Sequence, residues 1–79
     1  MNIEFDYSKL IGKIKENFNN RKDFAKLIPL SLNSLSKKLN NKVPFTSLEI
    51  YNMVQVLNIE PSEISIYFYT TKVEKIQQN

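Results

Sequence analysis

Residues 20–42 read NRKDFAKLIPLSLNSLSKKLNNK, and this stretch decides the fold because it sets two helix patterns on either side of a proline. Phe24 and Ile28 stand four apart with the small Ala25 beside them, which is the spacing of one apolar helix face, so a helix is predicted from about Arg21 to Leu27. Pro29 lacks a backbone N–H and stops it. Ser31 is suited to cap a second helix reaching about Leu39, since its hydroxyl can accept a backbone N–H bond, and Leu35 and Leu39 give that helix a buried edge. Leu32, Asn33, Ser36 and Lys37 are left facing outward. A helix-turn-helix has this requirement: one helix packs across another while the second keeps an outer face free to enter a groove.

FAKLIPLS at residues 24–31, followed after three residues by LSKKLNNKVPF at 35–45, resembles the helix-turn-helix of the Cro and repressor superfamily. With the acid-bearing helix that comes next, the resemblance is more narrowly to small phage-encoded Cro-like regulators. It extends from FDYSKLIGKI at residues 5–14 to about Tyr69. It implies an all-α fold, a compact five-helix lambda-repressor-like domain over residues 1–69, with a short C-terminal tail at 70–79. It also implies roles. Leu32, Asn33 and Lys37 occupy the family's base-facing positions, with Ser36 a fourth, while Arg21 stands where the family usually has a phosphate-contacting glutamine. Ser34, Lys38, Asn40, Asn41 and Lys42 are the candidates for further phosphate contacts. Chemically, Asn33 can pair with adenine, Lys37 can reach guanine O6 or N7, and Leu32 can press on a thymine methyl. Two residues depart from the family pattern. Pro29 replaces a common glycine and cannot take positive φ, so the turn must differ, and helix two should end a residue or so early. Leu32 is apolar where a polar residue is usual.

Composition narrows the chemistry. Seventy-nine residues allow one small domain with a marginal core, which a second subunit could support. The chain has no cysteine and no histidine, which removes thiolate and imidazole chemistry, and its acids are scattered rather than paired. We expect no enzyme, no metal and no cofactor. No apolar run approaches the roughly 18 residues of a membrane span and no signal-peptide pattern opens the chain, so the expected location is the cytoplasm of a bacterial host cell. The charge is unevenly placed. Residues 19–42 carry Arg21, Lys22, Lys26, Lys37, Lys38 and Lys42 against Asp23 alone, whereas residues 1–18 balance and residues 43–79 are net acidic. Such a cluster suits a phosphate backbone; it also suits an ordinary solvated helix face.

Elsewhere, Asp6 is placed to cap a first helix running to about Asn17, with Leu10, Ile11, Ile14 and Phe18 as its stripe. Gly12, the one glycine, interrupts it, and close approach of another helix is the expected reason, with nearby DNA backbone the alternative. Asn19 and Asn20 make a loop and cap, and Asn40 and Asn41 end the recognition helix, asparagine being tolerant of positive φ. Thr46 and Glu49 have capping-box spacing and Phe45 and Ile50 that of a hydrophobic staple, fixing the start of a fourth helix that Asn58 closes. Pro61 suits the first position of a fifth helix to about Tyr69, after which an extended or frayed tail is expected. Tyr67, Tyr69 and Val73 are candidates either for dimer contact or for packing on the monomer's own core.

Two function classes follow. The leading expectation is a sequence-specific DNA-binding transcriptional regulator that binds double-stranded operator DNA as a homodimer, because one recognition helix covers a half-site and two lie roughly 34 Å apart. The alternative is a protein-interaction module on the same fold, such as an antirepressor or an inhibitor of a host or phage protein. Pro29, Leu32 and the aromatic tail support the alternative.

Overall fold

The computed structural model describes residues 3–72. Five helices follow one another: α1 Ser8–Asn17, α2 Arg21–Leu27, α3 Leu32–Leu39, α4 Ser47–Leu57 and α5 Ile64–Phe68, the last entered through a 3-10 turn over Pro61–Glu63 with proline at its first position. The all-α, five-helix expectation holds. Leu10 and Ile14 of α1, Phe24 and Ala25 of α2, Leu35 and Leu39 of α3, and Met53, Val54 and Leu57 of α4 meet in one core, closed by Ile28, Ile59, Phe68 and Tyr7. α1, α3 and α4 each contribute side chains four residues apart, which is why a short chain can bury so many of them with few turns of helix.

Helix boundaries follow local chemistry. Asn20 caps α2 through Oδ1, which accepts from Asp23 N–H at 2.9 Å, and Ser31 caps α3 through Oγ, which accepts from Ser34 N–H at 3.0 Å. At α4 the capping box is complete: Thr46 Oγ1 accepts from Glu49 N–H, and Glu49 Oε1 accepts from Thr46 N–H. Among the described residues Asn41 and Asn58 are the two non-glycine residues with positive φ, at 63° and 56°, and both stand just beyond a helix. The turn between α2 and α3 has no such residue. Ile28 takes φ −111° and ψ 27°, outside the helix as its proline neighbour requires, and Leu30 N–H donates to Ala25 O at 3.0 Å to close α2.

Two expectations about α1 are corrected. Its N-cap is Tyr7, without a side-chain cap bond, and Asp6 lies one residue further out, its Oδ1 accepting from Ser8 N–H at 2.9 Å. That bond from the Ser8 backbone is the main reason the Asp6 carboxyl sits below its usual range. Gly12 is not a close-approach position, because a Cβ added there would meet nothing within 4 Å.

Residues 70–72, after α5, are extended. Phe5 and Thr71 form an antiparallel bridge, with Asp6 N–H donating to Thr70 O at 2.7 Å and Lys72 N–H to Glu4 O at 2.9 Å. Aromatic rings stack beneath this two-stranded ribbon in edge-on contacts, Tyr69 on Phe5, Tyr7 on Phe45 and Phe45 on Phe68, with centroids 5.4 to 5.9 Å apart.

Candidate nucleic-acid interface

α3 is short, so the direction of its outer face is set by how its two ends are held. The N-terminal end is fixed by Ser31 through a bond made within four residues. At the other end Lys38 turns inward. Only 9% of Lys38 is exposed, and its Nζ lies 2.6 Å from Glu49 Oε1, the same oxygen that completes the α4 cap. Burial raises the Glu49 pKa, but the bond from Lys38, the Thr46 N–H and the lysine charge together outweigh it, so the carboxyl sits below its ordinary value. One carboxylate oxygen thus joins the end of α3 to the start of α4. Two residues on, Asn41 Oδ1 accepts from Phe5 N–H and its Nδ2 donates to Phe5 O, both at 2.9 Å, which ties the end of α3 to the ribbon.

These contacts sort the expected site residues. Leu32, Asn33 and Lys37 are exposed together on the outer face of α3, and Ser36 beside them is half-buried. Arg21 and Ser34 are half-buried, and Asn40 and Lys42 are exposed. Lys38 is corrected: it belongs to the buried edge with Leu35 and Leu39, and its charge is engaged by Glu49 rather than offered to a phosphate. Asn41 is likewise engaged, its side-chain amide both accepting from and donating to Phe5. Tyr67 packs against the core, Tyr69 is exposed on the ribbon, and Val73 lies outside the described residues.

Reading the sequence missed both tethers. Helical spacing contained a signal for the first, since residues 35, 38 and 39 share one stripe, three and four apart. For Asn41 the sequence indicated a backbone conformation and nothing about Phe5, which is 36 positions away.

What remains open is a surface of mixed character. Lys22, Lys26, Lys37 and Lys42 are exposed across α2, α3 and the following loop, with Asp23 the one exposed acid among them. Between them stand Leu27, 57% exposed, Leu32, 44% exposed, and Val43. Among the described residues no cluster of acids could hold a metal ion, and no helix is long and apolar enough to cross a membrane.

The family model described as a protein of unknown function, DUF739, matches residues 3–71. The chain belongs to this family. Its fold is similar to the solution structure of the modulator of repression of the temperate bacteriophage TP901-1 from Lactococcus lactis, with a TM-score of 0.73 and 41% sequence identity over 90% of this chain and 96% of that one. A comparison with curated protein sequences returns no significant match. The DUF739 match covers all five helices and ends at the Thr71 that pairs with Phe5, so the Phe5–Thr71 bridge falls inside the matched region. The phage modulator is a regulatory protein by name.

Proposed function

We propose that this DUF739 protein is a phage transcriptional regulator that reads operator DNA with the outer face of α3. The observation that carries the reading is that face itself: Asn33 and Lys37 stand exposed on a helix without an acidic residue, flanked by the lysines of α2 and by Lys42. Asn33 supplies a bidentate partner for adenine and Lys37 a donor for guanine, while Arg21, Lys22, Lys26 and Lys42 meet phosphates and add salt dependence without sequence information. Lys38 and Asn41 act indirectly, by fixing the angle at which α3 leaves the body of the protein.

In-vitro selection from random duplex DNA, repeated at low and near-physiological salt, tests this reading. Enrichment of one motif that survives the higher salt is expected. Asn33→Ala should then cost roughly 1–3 kcal/mol at a single base position, whereas Arg21→Ala should weaken binding to all sequences alike and flatten the salt slope. Selection of no motif at either salt overturns the proposal.

Leu27, Leu32 and Val43 favour a second reading, in which the same surface docks on a protein and modulates repression through that partner. The name of the phage protein it resembles is compatible with either route. Charge reversal at Lys37 separates them. It abolishes a DNA complex, whereas Leu32→Glu is the more damaging change if the partner is a protein.

A further inference from the structure

In the antiparallel bridge the joining bonds are made by the neighbours of the bridged pair, Asp6 N–H to Thr70 O and Lys72 N–H to Glu4 O. The N–H and C=O of Phe5 therefore point away from Thr71, along the edge where a third strand would ordinarily pair. Asn41 takes the place of that strand. Its side-chain amide accepts from the Phe5 N–H and donates to the Phe5 C=O, the two bonds that one residue of a neighbouring strand would exchange. Residues 4–6 are thus gripped on one edge by 70–72 and on the other by the end of α3. The first grip is shallow. Glu4 and Lys72 pair at 3.3 Å with side chains 57% and 56% exposed, and Thr70 and Thr71 are exposed beside them. An exposed ion pair adds little, so this edge parts far more readily than the core unfolds.

We infer that the paired segments 4–6 and 70–72 act as a strap on residues 40–42. Asn41 is the buckle, and on either side of it stand Asn40 and Lys42, both exposed at the edge of the basic surface. While the segments pair, Asn41 is held and Lys42 is presented in a fixed place, its own N–H donating to Lys37 O at 2.9 Å. When they part, Asn41 loses the partner it reaches across 36 positions, and the loop that carries Lys42 slackens. The strap rests on the DNA reading for what Lys42 meets, a phosphate. The linkage between ribbon and loop is a property of the protein alone. By reciprocity, a target that needs the loop held tightens the ribbon in turn.

A disulfide can lock the strap, because the chain has no cysteine of its own to interfere. Residues opposite one another in an antiparallel pair stand roughly 5.5 Å apart at Cα, a span a disulfide bridges. In the Glu4→Cys, Lys72→Cys protein, oxidation should slow amide exchange at Lys42 at least about tenfold and leave Ser34, held by its local cap, unchanged. With Asn41→Gly in the same chain the effect on Lys42 should vanish. No slowing at Lys42 overturns the inference, and so does equal slowing at Lys42 and Ser34, which would report global stability alone.

The second arm uses the operator found by selection. Lys72→Pro removes the N–H that donates to Glu4 O, whereas Lys72→Ala removes only the charge. The proline variant should bind at least about fivefold more weakly than the alanine variant, with a salt slope shallower by about 1, the share of one lysine. Leu48→Ser, at a 67% exposed position of α4 outside the linkage, should change neither. Equal binding by the proline and alanine variants overturns the inference. A selection that yields no operator overturns the DNA reading instead, and the exchange comparison still decides whether the strap exists.

Discussion

The two ends of α3 are held by different kinds of contact. At the N-terminus a single hydroxyl, Ser31 Oγ, satisfies a backbone amide three residues away. At the C-terminus the tethers reach Glu49 in the next helix and Phe5 at the far end of the sequence. The local cap lets the helix start; the distant tethers decide where it points. A regulator that presents α3 to a target needs the second property as much as the first, which is why polar side chains of a supposed contact surface are spent on the protein's own frame.

The comparison is broken most severely at Glu49. Glu49→Leu leaves the buried Lys38 ammonium without its partner and removes half of the α4 capping box, and we expect a loss of about 3 kcal/mol in urea unfolding. Replacing Lys38 by Met in the same background should recover much of it, because an apolar pair tolerates burial that an orphaned charge does not. The pair also sets a pH dependence. Because the folded state lowers the Glu49 pKa, its contribution is complete above the ordinary value of 4.5 and is lost as pH falls through the folded value, so Glu49→Gln should flatten the acid limb of the stability profile.

Asn41 comes next. Asn41→Ala loses both bonds to Phe5 and forces a Cβ-bearing residue without a local hydrogen bond into φ 63°, at a cost of about 2 kcal/mol, whereas Asn41→Gly relieves the backbone and should lose only about 1. If the two variants are equally stable, the tether and not backbone conformation is what the asparagine supplies. At the opposite end Ser31→Ala should cost about 1 kcal/mol and leave amide exchange near Asn41 unchanged. The smallest effect has the opposite sign. Gly12→Ala, in open space on α1, should gain between about 0.5 and 1 kcal/mol and leave both ends of α3 as they were.

How much was legible follows the same division. The α2 boundaries, the Ser31 cap, the Thr46 capping box and the entry of Pro61 could all be read because each depends on residues within about one helical turn. Asp6 was misread by one position, since an aspartate side chain can bond either from the cap or from the residue before it. Lys38 reads as a phosphate contact because lysine is usually at the surface, although its spacing from Leu35 and Leu39 points inward. The bond between Asn41 and Phe5 and the pairing of residues 4–6 with 70–72 lay beyond reach, because no local pattern specifies which distant segment a backbone amide will find. For the candidate surface, the exposure of Leu32, Asn33 and Lys37 was foreseen from periodicity, and the large apolar side chains on α4 were overlooked because that helix was read for its core stripe alone.

The ribbon joining Phe5 to Thr71 has a kinetic consequence. Pairing those residues closes a loop of almost the whole chain, and the entropy of that closure is recovered only once the intervening helices have already drawn the two segments together. The ribbon is therefore the last element to form and the first to open. Since Asn41 depends on Phe5 for its partner, each opening also unties the end of α3, so the direction of that helix is coupled to the parting of the two paired segments.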